Sequence, residues 1–421
     1  MREHKNFKRY CEPRVVSLGP IHNGESRYWL TEEYKVTLAD DFIEKSGKCE
    51  EELYDMIKNN IKQLRQYFDV EVTTKYDDEA LAWILFVDGC ATLKFIDAVV
   101  NEKVKEFKIK NDHVAFVKQD LFLLENQLPY QLLDNLMTMS KEGQHLREAI
   151  LNFIDRKSMT ENEQAMGKKW IKMATNKEPI HLLDLLRTRL LVDQSGNARE
   201  PGEGAKNTKM RDWQSFRNVQ ELRVAGVHLE SNHSSCLRKI TFSKKWNFYP
   251  GILKLPPITV DDSTGPKFFN LIAYEMCPDF ENDYGITSYI SFLDSLIDED
   301  KDVIDLRNAG ILGNFLGSDQ EVAQVFNEIG TDLVPNLEIY RDVRYKIQEF
   351  YDKKSMTWIS EVLHTHFSSP WTVLAFVGAL FVLGLTIAQT VYTVIAYIDS
   401  KNQNSGQKKN PKAPKPKAKL V

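Results

Sequence analysis

The sequence has 421 residues, 42% hydrophobic and 27% charged, with a net charge of -5. That balance excludes an intrinsically disordered chain, and the slight acidic excess gives no global electrostatic case for a nucleic-acid partner. Five scattered cysteines, Cys11, Cys49, Cys90, Cys236 and Cys277, contain no CxxC pair, which argues against a disulfide scaffold or a zinc site and leaves free, mostly buried thiols as the expectation.

The first residues, Met1 to Lys5, are polar, and no apolar stretch follows that would make a cleavable signal peptide. From Cys11 to Gly24 a β-branched run is closed by Gly19-Pro20 and Asn23-Gly24, which predicts a strand or extended segment followed by turns. His22, beside a turn with no nucleophile near it in sequence, reads as a hydrogen-bonded structural histidine before it reads as a base. Helical spacing then begins: Leu53, Ile57, Ile61, Leu64 and Phe68 form one apolar stripe. Asp78 to Val100 predicts a buried helix, interrupted at Asp88-Gly89-Cys90. Leu121, Leu124, Leu128, Leu132 and Leu136 predict a further apolar face, with a kink or a new helix start at Pro129. Asp88, Asp120 and Glu125 are the carboxylates an enzyme would use. With no partner cluster in the sequence, caps and backbone-bonded carboxylates are the simpler reading, and Glu125, Asn126 and Gln127 read as a polar network at the proline junction.

His181 to Leu186 opens another apolar helix. Asp193 to Lys209 lacks large apolar residues and reads as a flexible insertion; its Gly202-x-Gly204 and Lys206 lack the strand and the GK[ST] ending of a phosphate loop. A helix ending at Gly226 leads into extended pieces over about 227–261, read as a small antiparallel sheet in which GILKLPPITV, with its double proline, makes an edge strand. Helices resume after Pro266 and from Thr287 to Ile297, and Ser318-Asp319-Gln320-Glu321 predicts a capping box for a helix closed by Gly330. A last body helix is expected around Arg341 to Val362. His364-x-His366 beyond it offers two metal ligands without a third and reads as solvated.

Trp371 to Ile398 holds no charged side chain and is long enough to cross a bilayer, which needs roughly 20 apolar residues. A lysine- and proline-rich tail, 399–421, reads as disordered. Its lysines favour a cytosolic tail, whereas the absent signal peptide and unpaired cysteines favour a cytosolic body; the latter topology is adopted, at the plasma membrane. A glycan on the sequon Asn232-His233-Ser234 would overturn it. Along the apolar helix Ala375, Ala379, Val382, Thr386, Gln389, Thr390 and Thr393 gather small and polar side chains on one face, the pattern of a helix that pairs with itself or with a partner helix in a membrane.

The expected architecture is therefore mainly α with a small antiparallel β-sheet (α+β), a body over 1–363 and one C-terminal transmembrane helix at 371–398. Several blocks together make the chain resemble the plant domain of unknown function 247 family. They are PRVVSLGPIHNG at 13–24, DGC at 88–90, DLFLLENQLP at 120–129, HLLDL at 181–185, ELRVAGV at 221–227, FNLIAYE at 269–275 and TSYI at 287–290. The resemblance implies a plant, single-pass membrane protein without established enzymatic activity, some relatives being linked to grass self-incompatibility. It brings no catalytic residues. Ala91 stands where an aromatic often follows the Asp-Gly-Cys block, and Tyr130-Gln131 replaces a more aromatic pair. The function expected is a membrane-tethered interaction or recognition protein, with signalling or self-incompatibility as implied roles. Its partners would be the bilayer and an unidentified protein or a second copy, without cofactor or nucleic acid. A membrane-bound enzyme built on His22, Asp88, Asp120 and Glu125, or a structural membrane organiser, are the alternatives.

Overall fold

The computed structural model describes residues 7–157, 178–192, 218–232, 234–244, 250–352 and 370–406. It divides into a body, Met1–Lys353, and a C-terminal unit, Lys354–Val421. The expected insertion at 193–209, the pair His364 and His366, and most of the tail lie outside the described residues.

The first part of the body contains α1 (Phe7–Cys11), α2 (Trp29–Ser46), α3 (Glu50–Arg65), α4 (Val70–Thr73), α5 (Asp78–Val100), α6 (Asn111–Asp120), α7 (Tyr130–Met139) and α8 (Gly143–Lys157). Helix α5 is its axis. α2, α3, α7 and α8 all pack against it, so a helix with neighbours on every side has no use for a polar face. Asp77 starts it by accepting the Ala80 N–H at 2.7 Å. The predicted break at Asp88-Gly89-Cys90 does not occur. The helix runs through, and a Cβ at Gly89 would stand only 2.7 Å from Leu136 Cδ1 of α7, so the glycine permits close helix packing where a turn was expected. On α3, Leu53, Ile57, Ile61 and Leu64 are buried as the spacing predicts. The helix ends before Phe68. The leucine face predicted from Leu121 to Leu136 is divided between a turn at Leu124–Asn126 and α7, because Pro129 has no N–H to continue a helix and becomes the residue that starts the next one.

The second part holds α9 (Leu182–Leu191), α10 (Val219–Val224), β1 (Val227–Ser231), β2 (Thr241–Ser243), β3 (Gly251–Leu255), β4 (Ile258–Val260), α11 (Thr264–Glu275), α12 (Gly285–Leu296), α13 (Asp300–Asn308), β5 (Leu312–Asn314), α14 (Asp319–Ile329) and α15 (Arg341–Asp352). α11 is the hub here, packed by α1, α12 and α14. The expected antiparallel sheet is corrected to two sheets. In the first, order β1-β3-β2, β1 and β3 are parallel and β2 and β3 antiparallel; in the second, β4 and β5 are parallel. Alternation of apolar residues fixes which face of a strand is buried but says nothing of its direction. The predicted edge strand is two strands. β3 is central, Pro256-Pro257 end it, and the chain crosses to the other sheet, where Ile258 N–H meets the Ile311 carbonyl at 2.7 Å. Leu253, Leu255, Ile258 and Val260 are all buried, so the prolines sit at a junction that needs no ladder hydrogen bond.

At α14 Ser318 Oγ accepts the Glu321 N–H at 3.2 Å, one half of the capping box that was predicted. Asp302 does similar work unannounced. Its carboxylate accepts the N–H of Asp298 at 2.9 Å, Glu299 at 3.0 Å and Gln220 at 3.1 Å, tying α13 to the start of α10.

The C-terminal unit contains α16 (Pro370–Gly406), which continues past the predicted boundary at Ile398. Its segment Leu374–Ile398, 25 residues, is one helix long and apolar enough to cross a membrane and is exposed along its length.

Candidate functional site

The residues from Pro13 to Gly24 form an irregular strap, free of bends over Val16–Leu18 and then bending and turning to Gly24, that pairs with no strand among the described residues. Such backbone leaves its N–H and C=O groups in need of partners, and burial makes an unmet group cost about 1–3 kcal/mol. Side chains from three helices and two turns, Ser26–Tyr28 and Leu124–Asn126, supply them. Asp120, at the end of α6, accepts the N–H groups of Arg14 (3.0 Å), Val15 (2.8 Å) and Val16 (3.0 Å). Asn126 accepts Leu18 N–H at 2.7 Å and donates to the carbonyls of Val16 at 3.1 Å and Asp120 at 3.0 Å. Asp88, on α5, accepts Gly19 N–H at 2.8 Å and Lys35 Nζ at 2.6 Å, and Lys35 donates to the Ser17 carbonyl at 2.8 Å. Tyr28 donates to Pro13 O at 2.9 Å and Thr31 to Val15 O. Gly19 turns the strap at φ +67°, with the Phe68 ring 3.3 Å from where a Cβ would be, so conformation and space both call for glycine.

The electrostatics follow from burial. Asp88 and Asp120 are 2% and 1% exposed. Desolvation pushes the Asp120 carboxyl up to about 6, against the pull of the three backbone N–H groups and Arg14. Burial draws the Lys35 ammonium down, but the Asp88 and Glu32 carboxylates beside it more than offset this and hold it charged.

The same construction continues through the later blocks. Asn270 accepts Leu124 N–H at 2.8 Å and donates to Tyr10 O at 2.7 Å. Gln127 donates to Leu121 O and Leu123 O at 2.9 and 2.8 Å and accepts Leu183 N–H at 3.0 Å. His181 starts α9 by accepting Asp184 N–H at 3.0 Å while its ring lies 4.7 Å from that of Tyr274, and burial holds its imidazole down at about 4. Glu275 accepts Ile286 N–H at 3.0 Å, Thr287 N–H at 2.8 Å and Arg187 Nε at 2.8 Å. The polar residues of the sequence blocks thus form one framework in which side chains bind backbone.

Of the four acid–base candidates, Asp88 and Asp120 come together under the strap. His22 Nδ1 lies 3.1 Å from Glu25, and its buried Nε2 has no partner among the described residues. Glu125 sits half-buried on the turn before Pro129. The predicted polar network at Glu125–Gln127 is present in Asn126 and Gln127. Lys35 was not singled out from sequence, and Asn270 and Glu275 were quoted only within the FNLIAYE block, without a role; a lysine in the charged run of α2 gives no sign that the strap will cover it.

All five cysteines are free; Cys11, Cys90 and Cys236 are buried, Cys277 is intermediate and Cys49 is exposed. Burial pushes the Cys11 thiol up to about 12. Asn232 of the sequon donates its Nδ2 to Lys239 O at 2.9 Å. The atom a glycan would occupy is in use, so a glycan would require this turn to open.

On α16, Ala375, Ala379, Val382, Thr386, Gln389, Thr390 and Thr393 are exposed on one face. The threonines donate inward to the helix, Thr386 to Val382 O (2.7 Å), Thr390 to Thr386 O (2.8 Å) and Thr393 to Gln389 O (2.7 Å). The Gln389 amide has no hydrogen-bond partner among the described residues, which leaves it as the polar group on the seam with donors to offer.

A family model described as plant protein of unknown function, DUF247, matches residues 1–385. UPF0481 protein At3g47200 of Arabidopsis thaliana is 30% identical over 423 residues, covering 95% of this chain and 86% of that protein. Putative UPF0481 protein At3g02645 of the same plant is 28% identical over 174 residues, 41% of this chain and 32% of its own length. No solved structure matches. The family match ends at Leu385, so the seam from Thr386 to Thr393 lies beyond it.

Proposed function

Because the chain belongs to the plant family of unknown function DUF247, we propose that it is a membrane-tethered recognition protein, with a body that meets a protein partner and a C-terminal helix that holds it at a bilayer. The observation that carries this reading is the 25-residue apolar segment Leu374–Ile398, exposed throughout, which exceeds the roughly 20 residues a bilayer core needs. The framework supports a non-catalytic body, since Asp88 and Asp120 spend their lone pairs on backbone and lysine donors.

In the finer form of this proposal the body lies in the cytosol at the plasma membrane and serves signalling or self-incompatibility, roles drawn from the resemblance. The seam pairs α16 with a second copy or a partner helix, and Gln389 makes the deepest polar contact, a bond worth about 1 kcal/mol. Proximity labelling from the tethered protein in its native tissue, with the anchor-deleted form as control, is expected to mark a defined neighbour only when the helix is present. Turnover of a substrate that Asp120→Asn abolishes while the fold survives would sink the reading. Gln389→Leu combined with Thr386→Leu is expected to weaken association in membranes; unchanged association removes the seam from the proposal.

A further inference from the structure

A cleft in the body, bordering the framework at the strap and α6, combines features that call for a ligand of defined chemistry. It encloses about 490 Å3, inside the roughly 300–1,000 Å3 range of small-ligand sites. The strap and α6 line it with Arg14, Phe116 and Gln119; the turn after β4 and the helix α14 line it with Asp262 and Glu321. The Arg14 guanidinium lies over the Phe116 ring, 5.3 Å from its centre, and forms no ion pair among the described residues. A guanidinium above a ring, with no carboxylate paired to it, keeps N–H donors available for one. Gln119 Oε1 is buried without a hydrogen-bond partner, an acceptor that wants an N–H. Two other carboxylates on the cleft are occupied: Glu328 accepts Tyr10 OH at 2.9 Å, and Asp261 accepts Ser263 N–H at 2.9 Å. Those of Asp262 and Glu321 form no ion pair or hydrogen bond among the described residues and remain open to a cation.

One cleft therefore offers a cation over a ring, an unmet carbonyl acceptor and two open carboxylates. We propose that it binds a short peptide end that is both anionic and cationic: a terminal carboxylate on Arg14, a peptide N–H on Gln119 Oε1 and a basic group on Asp262 and Glu321. The assignment rests on the recognition reading above and names the partner's chemistry.

The test is calorimetric titration of the full chain in lipid nanodiscs with lysyl-diglycine, its C-terminal amide, acetyl-triglycine and free lysine. Lysyl-diglycine is expected to saturate the cleft. The amide, which lacks the carboxylate, and acetyl-triglycine, which lacks both ammonium groups, are each expected to bind about tenfold more weakly or worse, and free lysine, which keeps the charges but has no peptide N–H, is expected to bind more weakly than the tripeptide. Arg14→Gln should weaken the free acid about tenfold and leave the amide unchanged. The double variant Asp262→Asn, Glu321→Gln should weaken both lysine-bearing peptides. These side chains make none of the framework's hydrogen bonds, and an unchanged melting midpoint verifies the fold. Absence of saturation, free lysine binding as tightly as the tripeptide, or Arg14→Gln weakening acid and amide alike would each overturn the proposal. A neighbour found by proximity labelling while the tripeptide fails to bind overturns the cleft assignment alone. Peptide binding as expected with no labelled neighbour overturns the reading of a tethered recognition protein and leaves the cleft standing.

Discussion

Asp120 is the residue on which the strap hangs. Asp120→Ala strands the N–H groups of Arg14, Val15 and Val16, and a loss of roughly 2–4 kcal/mol is expected, measurable by denaturant unfolding of the full chain in detergent. Its titration also has a sign. With the folded carboxyl at about 6 and an unfolded value near 3.9, the folded chain binds the proton more tightly. This group's stabilising effect is complete below about pH 4 and is lost as pH rises through about 6, an effect of about 3 kcal/mol at most. His181 acts oppositely: held at about 4, it contributes stability above its unfolded value of about 6.5 that is lost as pH falls through about 4. Asp120→Asn should therefore expose an acid lability between about pH 6.5 and 4, and His181→Asn, which retains a capping side chain, should leave a chain that gains stability on acidification. Unfolding midpoints across that range check both. The sequence was legible here in part: backbone-bonded carboxylates were the reading for Asp88 and Asp120, whereas the donors they hold, 53 and 69 residues away for Asp88 and 104 to 106 for Asp120, could not be read from spacing.

At the scale of elements, Gly89 shows why a glycine in an apolar helix was misread as a break. Gly89→Ala should gain about 1 kcal/mol in helix propensity but cost about 1–3 kcal/mol in overpacking against Leu136, a net destabilisation. Adding Leu136→Ala should recover the overpacking share and leave a cavity loss in its place, so the two changes are expected to be non-additive in a thermal-unfolding cycle. Helix positions were legible because a period near 3.6 marks a buried stripe wherever the neighbours lie. Strand direction was not, because β1 and β3 join through a long excursion that includes β2. The double proline misled for a related reason: from Leu253 and Leu255 to Ile258 and Val260 the alternation shifts phase, the signature of two strands in separate sheets.

For the whole molecule, the apolar helix and the family were legible, and the internal framework was legible only as a set of recurring blocks without their connections. Ending the chain at Lys353 should move it from the alkali-resistant membrane pellet to the soluble fraction, whereas the full chain stays in the pellet; a truncated form that remains with the membrane would deny the tether. The bond from Asn270 to the Tyr10 carbonyl spans 260 residues, and those from the strap to Asp120 span more than a hundred. During synthesis, residues near Tyr10 leave the ribosome long before the side chains that will hold them exist. At roughly 5–20 residues per second, that gap lasts from about ten seconds to nearly a minute. The opening segment of the chain is thus a late docker, exposed to chaperones and proteases until its partners emerge, and its dependence on distant contacts slows closure of the fold.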